Sequence, residues 1–181
     1  MNLGNYMFDF LKKERVMAAP VPEEKYYNAR GVVFPESHAN ELRRIIFSEV
    51  SNREPAKQEL EARVLFNTAL NRVLEHGKRG KNTNLAQILT EPNQYQGYNT
   101  SLYQQYDKPT DVLTKKRKQQ IDVITDKLLA EATAGNFQDN TNGAFYYQHK
   151  GDKIYYDDKK PLFKTAQNRA QPLFISQTNG R

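Results

Sequence analysis

From about residue 38 the chain alternates stretches of helical periodicity with short polar breaks. Leu42, Ile45, Ile46 and Val50 recur at the 3.6-residue period and predict an amphipathic helix to about Val50, with Ser37 as N-cap and Ser51 to Pro55 as the break. Glu49 follows Ile46 by three residues and Leu42 by seven, on the edge of the same apolar stripe. Charged side chains are seldom buried unless paired, so a carboxyl set against a core and followed at once by a polar loop suggests the wall of a cleft.

A second helix, about Ala56 to His76, carries Ala62, Leu65, Phe66, Ala69 and Val73 on one face and Leu60, Val64 and Leu74 on its flank, with Gly77 as its end. Apolar character almost all round marks it as the central helix. A short helix near Asn84 to Leu89 stops before Pro92, and a polar, aromatic loop runs from Asn93 to Pro109, long enough to suspect function. The next helix, about Thr110 to Ala132, places Arg117, Ile121, Ile124 and Leu128 on one stripe, and its Lys115-Lys116-Arg117-Lys118 run reads as a solvated start. Two β-prone runs, Ala144 to His149 and Lys153 to Tyr156, flank Gly151-Asp152 and predict a hairpin. The expected fold is therefore mainly α (α+β), with a domain over residues 36–160. Residues 1–35, with Pro20, Pro22 and Pro35, read as an arm that docks on a partner or frays, and residues 161–181 as an extended tail.

Composition narrows the classes. A chain of 181 residues can form one domain that buries about 70% of its unfolded surface. With no cysteine, disulfides and thiolate zinc sites are excluded, and the fold rests on packing. A net charge of +6 favours polyanionic partners: nucleic acid, an anionic membrane surface or an acidic wall polymer. No apolar run is long enough for a membrane-spanning helix. The first residues place Asp9 inside their apolar patch and the basic cluster after it, the reverse of a secretory signal. His38, His76 and His149 lack metal-ligand spacing and read as surface residues; no phosphate-binding loop, dinucleotide fingerprint or Ser-His-Asp arrangement is present, so no cofactor is expected.

Four segments stand in a telling order: Ser48-Glu49-Val50-Ser51-Asn52-Arg53-Glu54-Pro55, the helix ending Leu70-Asn71-Arg72-Val73, Glu91-Pro92-Asn93-Gln94-Tyr95, and Gly143-Ala144-Phe145-Tyr146-Tyr147. Together they resemble the cell-wall hydrolase family that includes the spore-cortex lytic enzymes, with its Glu-Ala-Arg-Gly-Glu-Pro motif, Leu-Asn-Arg-Val helix end, Gln-Pro-x-Gln-Phe loop and Gly-Ala-x-Tyr-Phe segment. The chain departs from that pattern by one extra residue between Glu49 and Glu54, by Glu91 in place of Gln, and by Tyr95 and Tyr147 in place of Phe. The resemblance implies a lysozyme-like helical core and a single catalytic acid matching Glu49; Asn71 and Arg72 read as supporting residues that cap and orient the helix beside it, with Glu54 as a further supporting residue.

That chemistry suits these residue types. Protonating a glycosidic oxygen near neutral pH needs a carboxyl that keeps its proton, and desolvation against Leu42, Ile45 and Ile46 would supply this for Glu49. No second carboxylate is obviously placed as a nucleophile, since Glu54 lies across the insertion and Asp107 and Asp111 sit in or after the loop. The resemblance thus favours a lytic transglycosylase: Glu49 protonates the bond between N-acetylmuramic acid and N-acetylglucosamine, then takes the proton of the muramoyl C6 hydroxyl as a 1,6-anhydro ring closes. Gln94, Tyr95, Tyr98 and Asn99, with Tyr146 and Tyr147, offer the aromatic faces and amides that a glycan groove requires. The expectation is a peptidoglycan-cleaving protein carried in a phage virion, which needs no secretion signal. The alternative is an inactive structural component that contacts other virion proteins through residues 1–35 and 161–181. Nucleic-acid binding ranks third, because the basic residues form separate patches without a motif.

Overall fold

The computed structural model describes residues 23–51, 54–92, 94–150 and 153–157. Five helices and two antiparallel hairpins make up this part of the chain. Strands β1 (Tyr26–Ala29) and β2 (Val32–Pro35) pair through a two-residue turn at Arg30-Gly31, with Ala29 opposite Val32. Both turn residues have positive φ (55° and 86°), the geometry whose twist matches a hairpin, and Asn28 Oδ1 accepts the Gly31 amide at 3.1 Å. Tyr27, Ala29, Val32 and Phe34 alternate inward to the core while Tyr26 and Val33 face solvent. The expected arm is thus corrected: its last ten residues are a packed hairpin, while residues 1–22 lie outside the described residues.

Helix α1 (Glu36–Glu49) follows directly, with Pro35 rather than Ser37 at its N-cap, because the hairpin delivers an extended residue there. Leu42, Ile45, Ile46 and Phe47 are fully buried. Helix α2 (Pro55–Lys78) opens on Pro55, whose missing N–H costs nothing in the first turn. It buries Ala62, Leu65, Phe66, Ala69 and Leu70 against several elements and is the central helix, as the all-round apolar pattern predicts. Gly77 lies inside this helix; the left-handed residue after its end is Gly80, at φ +71°.

Helix α3 (Leu85–Leu89) is closed by a capping box in which Asn84 and Gln87 exchange side-chain and backbone hydrogen bonds, both at 2.9 Å. The polar loop contains a short helix, α4 (Ser101–Gln105), started by Thr100. Helix α5 (Val112–Thr133) is capped by Asp111, which accepts the Thr114 amide at 2.8 Å. Ile121, Ile124, Leu128 and Leu129 pack it on α1 and α2. The predicted second hairpin forms from β3 (Tyr146–Lys150) and β4 (Lys153–Asp157), with Lys150 opposite Lys153. The expected tail at 161–181 lies outside the described residues. The fold is mainly helical with small antiparallel sheets, and among the described residues no helix is long and apolar enough to cross a membrane.

Candidate functional site

Glu49 is the last residue of α1, and the last turn of that helix carries no basic side chain. Its carboxyl is largely desolvated, which raises its pKa above the ordinary carboxyl value; the Gly97 N–H, donated to Oε1, opposes the shift without cancelling it. The negative end of the helix dipole acts in the same direction as burial. Among the described residues no basic side chain pairs with Glu49. A carboxyl so placed keeps its proton at higher pH than one in water, the property a general acid needs.

The loop over Glu49 is set by contact with α1. A Cβ on Gly97 would stand 2.5 Å from Ser48 Oγ, 2.7 Å from Ser48 Cβ and 2.9 Å from the Ser48 carbonyl carbon, so only glycine lets the loop seat there. Tyr95, two residues earlier, is buried, and its phenol is pushed up to about 12, first by burial and also by the charge of Glu49. Tyr147 brings a buried hydroxyl from β3; burial and then Glu49 raise its pKa as well. The two rings meet at 6.5 Å between centroids. Glu49 thus acts on both phenols, while its own shift comes from burial opposed by the Gly97 amide.

Arg72 stands beside this pair. Its guanidinium is an ion partner of Glu91, lies 5.5 Å from the centre of the Tyr146 ring and faces the Tyr95 phenol. Glu91 thus has a defined role at the position where the resembled family has Gln. Asn71 does not cap α2, which continues to Lys78; it clips the segment before β3 to the helix, donating to Thr141 Oγ1 (3.1 Å) and the Ala144 carbonyl (2.9 Å) while accepting from Arg30 (2.8 Å). Asn67 repeats the device one helical turn earlier, with bonds to the Gln138 carbonyl (3.1 Å) and Asn140 (2.9 Å). Arg30 completes it with Asp139 at 3.3 Å, so the positive φ of Arg30 is held by long-range partners.

Of the predicted site residues, the structure brings Glu49, Tyr95, Tyr147, Arg72, Tyr146 and Asn71 into one region. Gln94 lies half-buried and Asn99 exposed on the same loop, Asn99 at φ +60°. Tyr98 turns aside: its ring packs edge-on against Tyr103 at 5.4 Å, and the Tyr103 hydroxyl bonds Glu41, about two turns back along α1. Glu54 is corrected as a supporting residue. It is exposed at the N-cap of α2, where its backbone carbonyl accepts the Lys57 and Gln58 amides (2.9 and 3.0 Å). The carboxylate that holds this corner is Glu61, buried on α2 and bound to the Ser51 amide and hydroxyl at 2.8 Å. Neither aspartate of the loop is a nucleophile in waiting: Asp107 forms a two-point pair with Arg44 (3.0 and 3.1 Å), and Asp111 caps α5.

Sequence reasoning also passed over Gly97, Gln58 and the inward turn of Arg117, whose presence on an apolar stripe was the available signal. Among the histidines, His76 bonds Thr83 at 3.1 Å and His38 is half-buried, its pKa lowered by that burial, so His38 is not a simple surface residue. Among the described residues no group of three His, Asp or Glu stands ready to hold a metal ion.

A cavity of about 670 Å³ opens elsewhere, between β1, the start of α1 and the end of α5. The rise of a helix places its Glu36 about 20 Å from Glu49. Its charges balance, Lys25 and Arg43 against Glu36 and Asp126, and Arg43 binds both acids at 2.7 Å, so it offers no unpaired acid. The chemistry-bearing groups therefore gather at the C-terminal end of α1. No protein-family model, no curated protein and no solved structure matches the chain.

Proposed function

We propose that the protein is a peptidoglycan-cleaving enzyme of the lytic transglycosylase or muramidase type, carried in a phage particle to the host wall, with Glu49 as its acid. One observation carries the reading: a carboxyl at a helix end, desolvated, with a raised pKa and no cationic partner among the described residues, beside Tyr95 and Tyr147. Protonated Glu49 donates to the glycosidic oxygen as the C1–O bond of the muramoyl unit breaks. The resulting carboxylate then accepts the C6 hydroxyl proton as O6 closes on C1, and the chain ends in a 1,6-anhydro sugar; attack by water instead gives the hydrolytic product. A lysozyme-like arrangement of α1, α2 and α5 around this acid belongs to the same proposal, as does a glycan path over Gln94, Asn99 and Tyr146.

A second reading, an inactive virion component built on the same module, draws on the Gly97 amide, which already occupies Glu49 Oε1. Digestion of purified peptidoglycan separates the two. The enzyme releases soluble fragments and Glu49→Gln releases none; a wild type that releases none is the structural component.

A further inference from the structure

Glu49 is followed by a corner, Val50-Ser51, whose polar groups are gripped from two sides. From α5, Arg117 donates Nε to the Phe47 carbonyl (3.0 Å) and Nη2 to the carbonyls of Phe47 (2.6 Å) and Val50 (2.5 Å), with its guanidinium 5.2 Å from the centre of the Phe47 ring. From α2, Glu61 accepts the Ser51 amide and hydroxyl at 2.8 Å, and Gln58 donates to the Ser51 carbonyl at 3.2 Å. Gln58 and Glu61 are 0% and 2% exposed. The Val50 amide closes the helix on Ile46 at 2.9 Å.

This is an unusual way to end a helix. Most helix ends leave their last carbonyls to water or to a glycine cap, whereas this one is met by a cation from another helix and continued by an anion from a third. Burying an anion such as Glu61 and half-burying Arg117 does not favour stability over well-packed apolar residues, so the arrangement calls for another reason. What it fixes is position. Carbonyls 47 and 50 flank Glu49 in the chain, and the amide of residue 51 follows it, so the Cα of Glu49 is held between clamped peptide groups.

We propose that Arg117 and Glu61 are positioning residues for Glu49, a half-buried cation and a buried anion that hold the Val50-Ser51 corner so that the carboxyl stays under the Gly97 loop. The inference deepens the reading of Glu49 as the acid and rests on it for its catalytic consequence. Its structural consequence stands alone: loosening the corner lets the carboxyl relax toward solvent.

The test uses full-length Arg117→Met and Glu61→Gln, which keep side-chain volume, with Arg117→Lys as the conservative variant. The first reading is the titration of the Glu49 side-chain carbonyl by ¹³C NMR, which needs no activity. In Arg117→Met and Glu61→Gln its midpoint falls back toward the ordinary carboxyl value, and Arg117→Lys recovers part of the difference. The second reading is turnover on soluble glycan fragments, where kcat falls about 100-fold, as for an angstrom-scale misplacement, while KM stays within about twofold. A folded Arg117→Met with an unchanged Glu49 titration overturns the inference. If Arg117→Met does not fold, the same titration in Glu61→Gln decides. A displaced titration in a protein whose wild type cleaves nothing retains the positioning role and removes only the catalytic reading.

Discussion

The Gly97 amide hydrogen is donated to the Glu49 carboxylate, and the glycine that supplies it sits so close to Ser48 that no Cβ fits between them. Steric fit and hydrogen bond are thus one device: the bare backbone lets the loop approach α1, and the approach delivers the amide. The donor stabilises the ionised form of an acid that burial pushes toward its neutral form. The carboxyl is held in a defined place and its pKa is raised only as far as these opposing effects allow.

Gly97→Ala separates the parts of that device. The added methyl meets the Ser48 backbone, so the loop lifts, at a cost of about 1–3 kcal/mol. With the amide withdrawn, the Glu49 pKa rises further wherever the site stays shielded. Urea unfolding gives the first quantity and a ¹³C titration of Glu49 the second; a variant of wild-type stability with an unshifted Glu49 would contradict the contact.

Because the folded-state pKa of Glu49 lies above the ordinary carboxyl value near 4.5, the native protein binds this proton more tightly than the unfolded chain does. The associated stability is complete below the unfolded value and is lost as pH rises through the folded one. Glu49→Gln has no charge to bury and keeps an oxygen for Gly97, so it unfolds at higher urea than wild type at pH 7, and the difference closes on acidification. Every tenfold gain in proton affinity corresponds to about 1.4 kcal/mol, so the gap at neutral pH measures how far folding raises the Glu49 pKa. A Glu49→Gln protein less stable than wild type at pH 7 would show that the carboxylate is well paired instead.

Asn71→Ala leaves Arg30, Thr141 and the Ala144 carbonyl without a shared partner inside the protein. A loss of about 2–3 kcal/mol follows from unmade buried hydrogen bonds. The chain has 11 tyrosines and no tryptophan, so tyrosine fluorescence reports both the unfolding and the release of Tyr147. An effect below about 0.5 kcal/mol, the level of an ordinary surface change, would mean that the segment before β3 is held by other contacts.

Tyr146 tests the glycan path. Its ring is half-buried, with the Arg72 guanidinium 5.5 Å from its centre. Tyr146→Ala raises KM about five- to tenfold with kcat preserved, while Tyr146→Phe stays near wild type, as expected for a stacking contact. A fall in kcat alone would place the residue in support of Glu49 rather than against sugar.

The sequence was most informative where burial repeats at the helical period. Leu42, Ile45 and Ile46 on α1 and the encircling apolar residues of α2 announce those helices, and Glu49 shows itself as a carboxyl on the edge of a core stripe followed at once by a polar break. Tyr146 and Tyr147 stand in a hairpin readable from its β-prone runs. The first hairpin was harder, because its strands are four residues each and lie among prolines that suggest an arm; the Arg30-Gly31 turn was its signal. Gly77 misled because one glycine costs a helix only about 1 kcal/mol and the packing of α2 outweighs it. Glu61 and Arg117 look like interruptions of apolar faces. Their meaning lies in partners on other elements, and no local period encodes a bond between α5 and the end of α1. The Gly97 contact with Ser48 is long-range in the same way.

The central claim is that the carboxyl of Glu49 breaks a glycosidic bond, and the mass of the products tests it most directly. Purified peptidoglycan incubated with the wild-type protein and analysed by mass spectrometry is predicted to yield muropeptides ending in 1,6-anhydro-N-acetylmuramic acid, one water lighter than their hydrolytic counterparts, or reducing-end products if water intercepts the sugar, and Glu49→Gln is predicted to yield neither. Intact glycan strands after incubation with a folded wild-type protein, or equal product from Glu49→Gln, would contradict it.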